Sequence, residues 1–416
     1  MLEEIQGAQK QVIVEMYWFD DDSVGQRFAT ALCQAALSGR EVAVMVDALG
    51  SLGGNAILER LRKAGVSVIE FNPVAPWRKR FRLERVTRRN HRKMIAVDGQ
   101  VAFVGGVNIA DPWQDVPPDR IAWRDDTLRL KGACVTPMIV TFHQLWSRQG
   151  GRTLSTPSAP SYQGPYPVQI LEQVPLHKRQ ISRAIRAKIR QASSRVWIAQ
   201  AYFLPSGSLI RALEKAAARG VDVRVVVPGK SDFKTVQWAT RSLYSRLFKS
   251  QIRIYEFLVS MLHSKTVLVD NAWLCTGSFN FDNRSYQANH ELNVAVDSLE
   301  LANVAHQRFL KDFDKSHEIT PNDYRDRSLG RRVLEFICFS LDAGCEPQNT
   351  WVLSKIVDDI TNKIRFRENS DELVSFNHRK AAKLVLVNRF TSTAQVIVWS
   401  GSFGFMNHHI LHGKPL

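Results

Sequence analysis

Two stretches of this sequence carry the same polar residues in the same register. His91, Lys93, Asp98, Gly105, Gly106 and Asn108 sit at offsets 0, 2, 7, 14, 15 and 17, and His263, Lys265, Asp270, Gly277, Ser278 and Asn280 sit at the same six offsets. So long a match makes chance a poor explanation, and it means one unit is written twice. The flanks repeat as well. An apolar run at 12–19 precedes a helix-patterned segment ending near Gly39 and a second run at 42–46. In the second copy, a run at 196–203 precedes a segment ending at Gly220 and a run at 221–227. Glycine at the end of each helical pattern supplies the left-handed cap. Short β-branched runs alternating with helices predict an α/β fold whose strands are buried on both faces.

The repeat divides the chain. Residues 1–149 form the first copy and 168–325 the second, with 326–416 left as a tail. Residues 150–167, with Pro157, Pro160, Pro165 and Pro167 among serines and glycines, read as a linker. The second copy opens with an additional strand-like run at 168–171 and a long basic helix, for which the first copy has no room. The expectation is that the first copy is shortened at its N-terminus.

Composition narrows the class of function. The 416 residues are 44% hydrophobic and 23% charged, a globular balance, and the net charge of +16 predicts attraction to polyanions, either nucleic acid or an anionic lipid surface. The cysteines, Cys33, Cys134, Cys275, Cys338 and Cys345, are odd in number and unclustered, which argues against a disulfide framework and a zinc site and fits a reducing compartment. The first ten residues are polar, unlike a secretory signal, and no apolar run approaches the ~20 residues needed to span a bilayer, so membrane contact is expected to be peripheral.

Residues two apart on a strand face the same way, so His91 projects with Lys93 and His263 with Lys265. Asp98 and Asp270 lie an odd number of residues further on, which favours a structural role for both. Small residues at Gly105, Gly106 and Gly277 let the backbone approach a ligand, and Asn108, Ser278 and Asn280 can donate hydrogen bonds to phosphate oxygens. Two histidines, two lysines and these donors make a phosphoryl site with no metal and no cofactor. One imidazole attacks phosphorus, the other protonates the leaving oxygen, and the lysines neutralise the non-bridging oxygens. Each histidine needs an acceptor on its other ring nitrogen. Glu291, in the run NHELN, and Asp125, in the run WRD, occupy comparable positions after the two motifs. His290 reads as a surface or supporting residue.

These residues resemble the paired HKD motifs of the phospholipase D superfamily. The blocks NHRKMIAVDGQVAFVGGVNIAD, WRDDTLRLKG and LHSKTVLVDNAWLCTGSFNFDNRSYQANHELNV are similar to the bacterial cardiolipin synthase branch, over residues 2 to about 325. The resemblance implies two fused half-repeats related by a pseudo-twofold axis, each a mostly parallel or mixed sheet flanked by helices, with the site at their junction. It implies a covalent phosphatidyl-histidine intermediate resolved by an alcohol, with His91 as nucleophile and His263 as acid and base, although spacing alone leaves that assignment open. It also implies that Glu291 and Asp125 orient the histidines and that Asn108, Ser278 and Asn280 line the phosphate pocket.

Residues 77–93 hold nine Lys or Arg against the single acid Glu84, interleaved with Trp77, Phe81 and Leu83. Such a segment suits an anionic membrane surface, and basic residues among aromatics also suit single-stranded nucleic acid. The family blocks favour phospholipid. The leading expectation is a phosphatidyltransferase making cardiolipin from phosphatidylglycerol and a second phospholipid, peripheral on the cytoplasmic face of the bacterial inner membrane. The alternative is a phospholipase D-type hydrolase or a nuclease using the same site. In the tail, the amphipathic run 329–341 could lie on a membrane, and His378, Lys380 and the run 400–407 faintly echo a third motif, with Val385 where the aspartate belongs.

Overall fold

The computed structural model describes residues 1–75, 82, 85–114, 121–157, 164–325 and 327–344, with three further short strands. The chain forms two compact units, Met1–Val357 and Asp358–Leu416. Both copies of the repeat therefore belong to the first unit.

The first copy runs α1 (Leu2–Gln6), β1 (Gln11–Met16), α2 (Ser23–Leu37), β2 (Glu41–Asp47), α3 (Asn55–Lys63), β3 (Ser67–Phe71), β4 (Met94–Val97), β5 (Val101–Gly105), β6 (Thr127–Lys131) and α4 (Val135–Arg148). The second runs β7 (Val168–Val174), β8 (Lys178–Arg179), α5 (Gln180–Gln191), β9 (Arg195–Gln200), α6 (Gly207–Ala218), β10 (Asp222–Pro228), α7 (Lys234–Ser242), α8 (Tyr244–Lys249), β11 (Arg253–Phe257), β12 (Lys265–Val269), β13 (Trp273–Gly277), α9 (Asn283–Gln287), β14 (Glu291–Asp297), α10 (Leu299–Asp314) and β15 (Ser316–Ile319). The sheet orders are β3-β2-β1-β4-β5-β6 and β15-β11-β10-β9-β12-β13-β14-β7-β8, so a common six-strand pattern recurs in register. In each sheet the first three strands of that pattern are mutually parallel and the other three antiparallel. β7 pairs along the outer edge of β14.

Why the strands read as unbroken apolar runs is visible in what covers them. Val12, Val14, Val42 and Val44 pack on Phe28 and Leu32 of α2 and on Ile57 and Leu61 of α3. Their neighbours Ile13, Ala43 and Met45 face the other way, onto Met138 and Phe142 of α4 and onto Leu292 and Val294 of β14 from the second copy. One continuous core thus crosses between the copies. Fully burying each such side chain is worth ~1.5–3 kcal/mol, so separating the copies would forfeit many of these terms together. The helices stop where glycine follows. Gly39 and Gly220 take φ of 82° and 86°, with open space where a Cβ would stand, so the left-handed backbone is what selects glycine there.

Asp98 and Asp270 occupy the tight turns after β4 and β12, both at φ 53°. The Asp98 carboxylate accepts from the backbone N–H groups of Gln9, Lys10 and Gln11 at 2.8, 2.7 and 2.8 Å, and Asp270 accepts from those of Ser193, Ser194 and Arg195. Each aspartate fastens the start of the central strand of its own sheet.

The structure adds detail to three expectations. Leu154 is buried, Ser155 bonds Glu41 and Gln11, and the Trp146 indole donates to the Arg152 carbonyl, so this part of the linker is packed onto the first copy. The amphipathic run in the tail forms α12 (Leu329–Gly344), preceded by α11 (Pro321–Arg325), and part of its apolar stripe packs on the protein while Phe336 and Ile337 are exposed. Cys338, with Leu334 and Phe339, packs on Trp238 and Ala239 of α7, and Arg327 pairs with Glu335 beneath it. His290 is half-buried with its Nδ1 buried, and of the two readings given for it the supporting one applies, since its carbonyl accepts the His91 N–H. The last three strands, β16 (Val385–Asn388), β17 (Gln395–Val398) and β18 (Leu411–His412), form a small antiparallel sheet. His378, Lys380 and 400–407 lie outside the described residues, as do 76–81, 83 and 84 of the basic segment.

Candidate active site

The two H-x-K motifs end at the junction because the chain carries them there on crossed backbone ladders. The His91 N–H donates to the His290 carbonyl at 2.9 Å, and the His290 N–H donates back to Arg89 at 2.9 Å. The same exchange occurs on the other side, where His263 N–H donates to Arg124 at 2.7 Å and Arg124 N–H donates to Met261 at 2.8 Å. Each motif therefore borrows a short parallel strand from the opposite copy, Asn90 with His290 and Leu262 with Arg124.

The crossing delivers a carboxylate to each histidine. Nδ1 of His91 lies 3.0 and 3.1 Å from the two oxygens of Glu291, and Nδ1 of His263 lies 2.7 Å from Asp125. His91 and Asp125 come from the first copy and His263 and Glu291 from the second, so neither copy alone holds a complete histidine–carboxylate pair. Glu291 has no exposed surface and accepts from Ser278, from Ser285 at 2.7 Å and from Asn289 at 3.3 Å. Burial raises its carboxyl, but His91, Lys93 and the Ser278 hydroxyl outweigh that effect and hold it below the usual range. An ionised carboxylate accepts only, so the proton between it and His91 sits on Nδ1, leaving the Nε2 lone pair free. Asp125 is held by the Trp113 indole at 2.9 Å and the Asp126 N–H at 2.8 Å.

Burial dominates the ionisation of both imidazoles. It pushes His91 down to about 4, against the pull of Glu291 and with the push of Lys93. His263 goes down to about 3 for the same reason, with Lys265 adding to the effect and Asp125 opposing it. Both rings are neutral near pH 7. The lysines are pushed below their ordinary range by burial, Lys93 strongly. Lys265 acts on His91 and Lys93 on His263, so all four groups share one electrostatic environment. Each ammonium donates to the carbonyl of its own motif's histidine, Lys93 to His91 at 2.7 Å and Lys265 to His263. A lysine carries three donors, which leaves Lys93 further N–H groups for a ligand, whereas the Lys265 ammonium also lies 3.0 and 3.3 Å from the ring nitrogens of His263.

The residues expected to line a phosphate pocket divide. Asn108 is buried, and its side-chain oxygen accepts from the Trp18 N–H at 3.1 Å, which turns the amide NH2 the other way. Asn280 is buried with a side-chain oxygen that has no hydrogen-bond partner among the described residues. Ser278 differs, since its hydroxyl donates to Glu291 and accepts from the Leu292 N–H at 3.0 Å. That hydroxyl positions the carboxylate and leaves no proton for a phosphate. The matching Gly106 has a comparable cause: a Cβ there would stand 2.2 Å from Oδ1 of Asp125.

Several neighbours of the site escape sequence reasoning. Tyr17 meets His91 edge-on with ring centroids 4.8 Å apart, while Trp113, Trp123 and Tyr202 surround His263 at 5.2, 5.6 and 6.4 Å. Ser285, in α9, and Asn289, just after it, serve Glu291. No periodicity marks any of these residues, because each acts from a loop or a single helical turn whose course only the fold sets.

Comparison with known proteins follows the geometry. A family model described as "Cardiolipin synthase, PLD-like domain" matches residues 1–114 and 185–313. The chain is 33% identical over 344 residues to a cardiolipin synthase of Geobacillus thermodenitrificans (strain NG80-2), covering 81% of this chain and 68% of that protein. It is 31% identical over 335 residues to the probable cardiolipin synthase YwiE of Bacillus subtilis (strain 168), covering 79% and 66%. In fold it is similar to the crystal structure of phosphatidylserine synthase from Haemophilus influenzae Rd KW20, with a TM-score of 0.63, 13% identity, and 86% and 91% of the two chains covered.

Proposed function

This chain belongs to the cardiolipin synthase, phospholipase D-like domain family and is an enzyme of the phospholipase D superfamily, and on that premise we propose that it makes cardiolipin from phosphatidylglycerol and a second phospholipid through a phosphatidyl-histidine intermediate. The observation that carries the proposal is the crossed pairing of His91 with Glu291 and His263 with Asp125. It supplies one imidazole whose free nitrogen can attack and a second that can exchange a proton.

In the first step Nε2 of His91 forms a bond to phosphorus as the bond to the glycerol oxygen breaks, and His263 gives that oxygen its proton. Free glycerol leaves. In the second step His263 takes the proton from a hydroxyl of the second phospholipid, whose oxygen attacks phosphorus and releases His91. Two phosphatidylglycerols thus give cardiolipin and glycerol, and atoms and protons balance. The general acid has to be charged, although burial holds His263 neutral in the free protein. The bound phosphodiester brings the negative charge that favours the imidazolium, and Lys93, Lys265 and the amides of Asn108 and Asn280 share its oxygens.

An apolar rim supports a lipid substrate. Exposed Leu49 and Leu52 follow β2, and Gly50 between them abuts the Tyr17 backbone beside His91. On the other side exposed Phe233 packs on Tyr202 beside His263, and Ile121 precedes Trp123. No helix among the described residues is long and apolar enough to cross a membrane, and we propose peripheral attachment at the cytoplasmic face of the inner membrane through this rim and the basic segment. Within that segment Arg89, Arg92 and Lys93 are buried and contribute nothing to the surface, whereas Arg82, Arg85 and Arg88 are exposed.

The test is incubation with labelled phosphatidylglycerol, with and without phosphatidylethanolamine, followed by lipid separation. Labelled cardiolipin is the expected product. Phosphatidic acid alone would replace transfer by hydrolysis, and no turnover of lipid beside cleavage of single-stranded DNA would replace it by nuclease activity.

A further inference from the structure

Behind the reaction site, the two histidine–carboxylate pairs differ in how they balance a buried cation. On the His263 side Ser264 stands between His263 and Lys265, and Arg124, from the other copy, stands before Asp125. Arg124 is saturated, with Asp126 at 2.6 Å and both oxygens of Asp312 within 3.1 Å. On the His91 side the corresponding residues are Arg92, between His91 and Lys93, and His290, from the other copy, before Glu291. Arg92 is 2% exposed, yet only one guanidinium nitrogen is hydrogen-bonded, to Glu172 at 3.0 Å. Its Nη1 is 3.8 Å from Glu15, and neither Nη1 nor Nε has a hydrogen-bond partner among the described residues. Nδ1 of His290 is buried without one among them as well.

Arg92 and His290 face a cavity of about 160 Å³ that is separate from the reaction site, since His91 and Lys93 do not line it. Arg148 at the end of α4 and His177 and Lys178 at the β7–β8 turn complete its basic lining, and Glu172 is its one acid. Glu172 is already shared between Arg92 and Lys178. Arg148 has no ion pair or hydrogen bond among the described residues. The surplus of positive charge is felt by His290, which burial and then Arg92, Arg148, Arg88 and His177 push down to about 3. Unpartnered buried guanidinium N–H groups beside a polar cavity with excess cationic charge call for a hydrogen-bonding anion, and the two guanidinium nitrogens left unbonded, Nε and Nη1, can donate to the oxygens of a tetrahedral oxyanion.

We propose that this cavity binds a phosphate-class anion, held by Arg92, His290 and Arg148 with His177 and Lys178 at its mouth. The occupant would sit one residue from both members of the His91–Glu291 pair, because the His290 carbonyl accepts the His91 N–H and Glu291 follows His290.

The experiment titrates the full chain with inorganic phosphate while following histidine ring resonances in a ¹⁵N-histidine-labelled sample. His91 and His263 report the reaction site, and His177 and His290 report the cavity. The expected result is a saturable shift of His177 and His290. Arg148→Glu, on an exposed helix end outside the catalytic machinery, should weaken that midpoint roughly tenfold or more, the equivalent of one lost charge-assisted contact, with its far-ultraviolet spectrum unchanged. Phosphate shifts confined to His91 and His263 would overturn the proposal, and this arm needs only the unaltered protein. A second arm adds phosphatidylcholine vesicles with and without phosphatidic acid to protein loaded with labelled phosphate. Displacement only by the phosphatidic acid vesicles identifies a lipid headgroup as the natural occupant, and retention identifies soluble phosphate. Either outcome supports an anion site.

Discussion

The two histidines have been given the same chemistry and different surroundings. Each lies just before a β-strand, pairs through Nδ1 with a carboxylate from the other copy, and is neutral by burial. Around His91 the support is polar, with Glu291 fixed by Ser278, Ser285 and Asn289. Around His263 it is aromatic, with Trp113 both meeting the ring edge-on and donating to Asp125. The duplication has kept what a two-histidine reaction requires and let the rest diverge, and such divergence permits a division of labour that the motif alone does not reveal.

The largest effect tests whether the pair acts as one unit. His91→Ala and His263→Ala should each remove essentially all turnover, a loss on the order of 10⁶-fold where catalytic residues act together, and the double variant should be little worse than either single one. Near-normal turnover in one single variant would mean that the crossed pairs do not form a single site.

The next effect separates the roles. General acid catalysis contributes ~10²–10⁴-fold, and a substrate with an already acidic leaving group scarcely needs it. With such a substrate the His263→Ala variant should regain much of its first step, visible as a burst of leaving group, while His91→Ala should stay inactive. Recovery in His91→Ala would exchange the two assignments.

A smaller effect compares the two carboxylates. Glu291→Gln sets an amide NH2 against three donors in a site with no solvent, and unsatisfied buried groups cost ~1–3 kcal/mol each. Asp125→Asn keeps one oxygen for the Trp113 indole and should cost less. Urea unfolding of both variants measures this. Equal losses would show that the polar and aromatic settings hold their carboxylates with the same force.

Much of this organisation is legible in the sequence, and the illegible part has a common cause. The six-offset repeat announces two equivalent sheets, and the alternation of valine runs with glycine-ended helices gives their α/β character, because burial on both faces and a left-handed cap are local demands on residue type. His91, Lys93, His263 and Lys265 stand out for the same reason. The crossing of carboxylates is not local. Glu291 and Asp125 are recognisable as acceptors, but which histidine each serves depends on ladders formed between copies about 200 residues apart, for the pair His91 and Glu291. Ser278 reads as a phosphate donor by its offset, and only the packed structure shows its proton spent on Glu291. Arg92 reads as part of a surface charge run, whereas the fold turns it inward to Glu172.

The smallest effect concerns pH, and it follows from the one property the two histidines share most closely. Their native values of about 4 and about 3 lie below the ~6.5 of an exposed imidazole. As pH falls below ~6.5 the unfolded chain binds protons that the native state refuses, so stability is complete above that value and is lost as pH falls toward the native values. His290, at about 3, adds to the same slope. Buried acids act in the opposite sense: Glu15, Asp47 and Asp312, raised by burial, take up protons first in the native state. The raw pH profile therefore mixes signs, and the difference between variants isolates each imidazole. His91→Gln and His263→Gln should each flatten the decline between pH 6 and 5 by at most one proton's worth, ~1.4 kcal/mol per pH unit. Urea midpoints across that range give the slopes. If only one variant flattens the curve, the other imidazole titrates like a solvated one, and the polar and aromatic surroundings differ in desolvation as well as in the partners they supply.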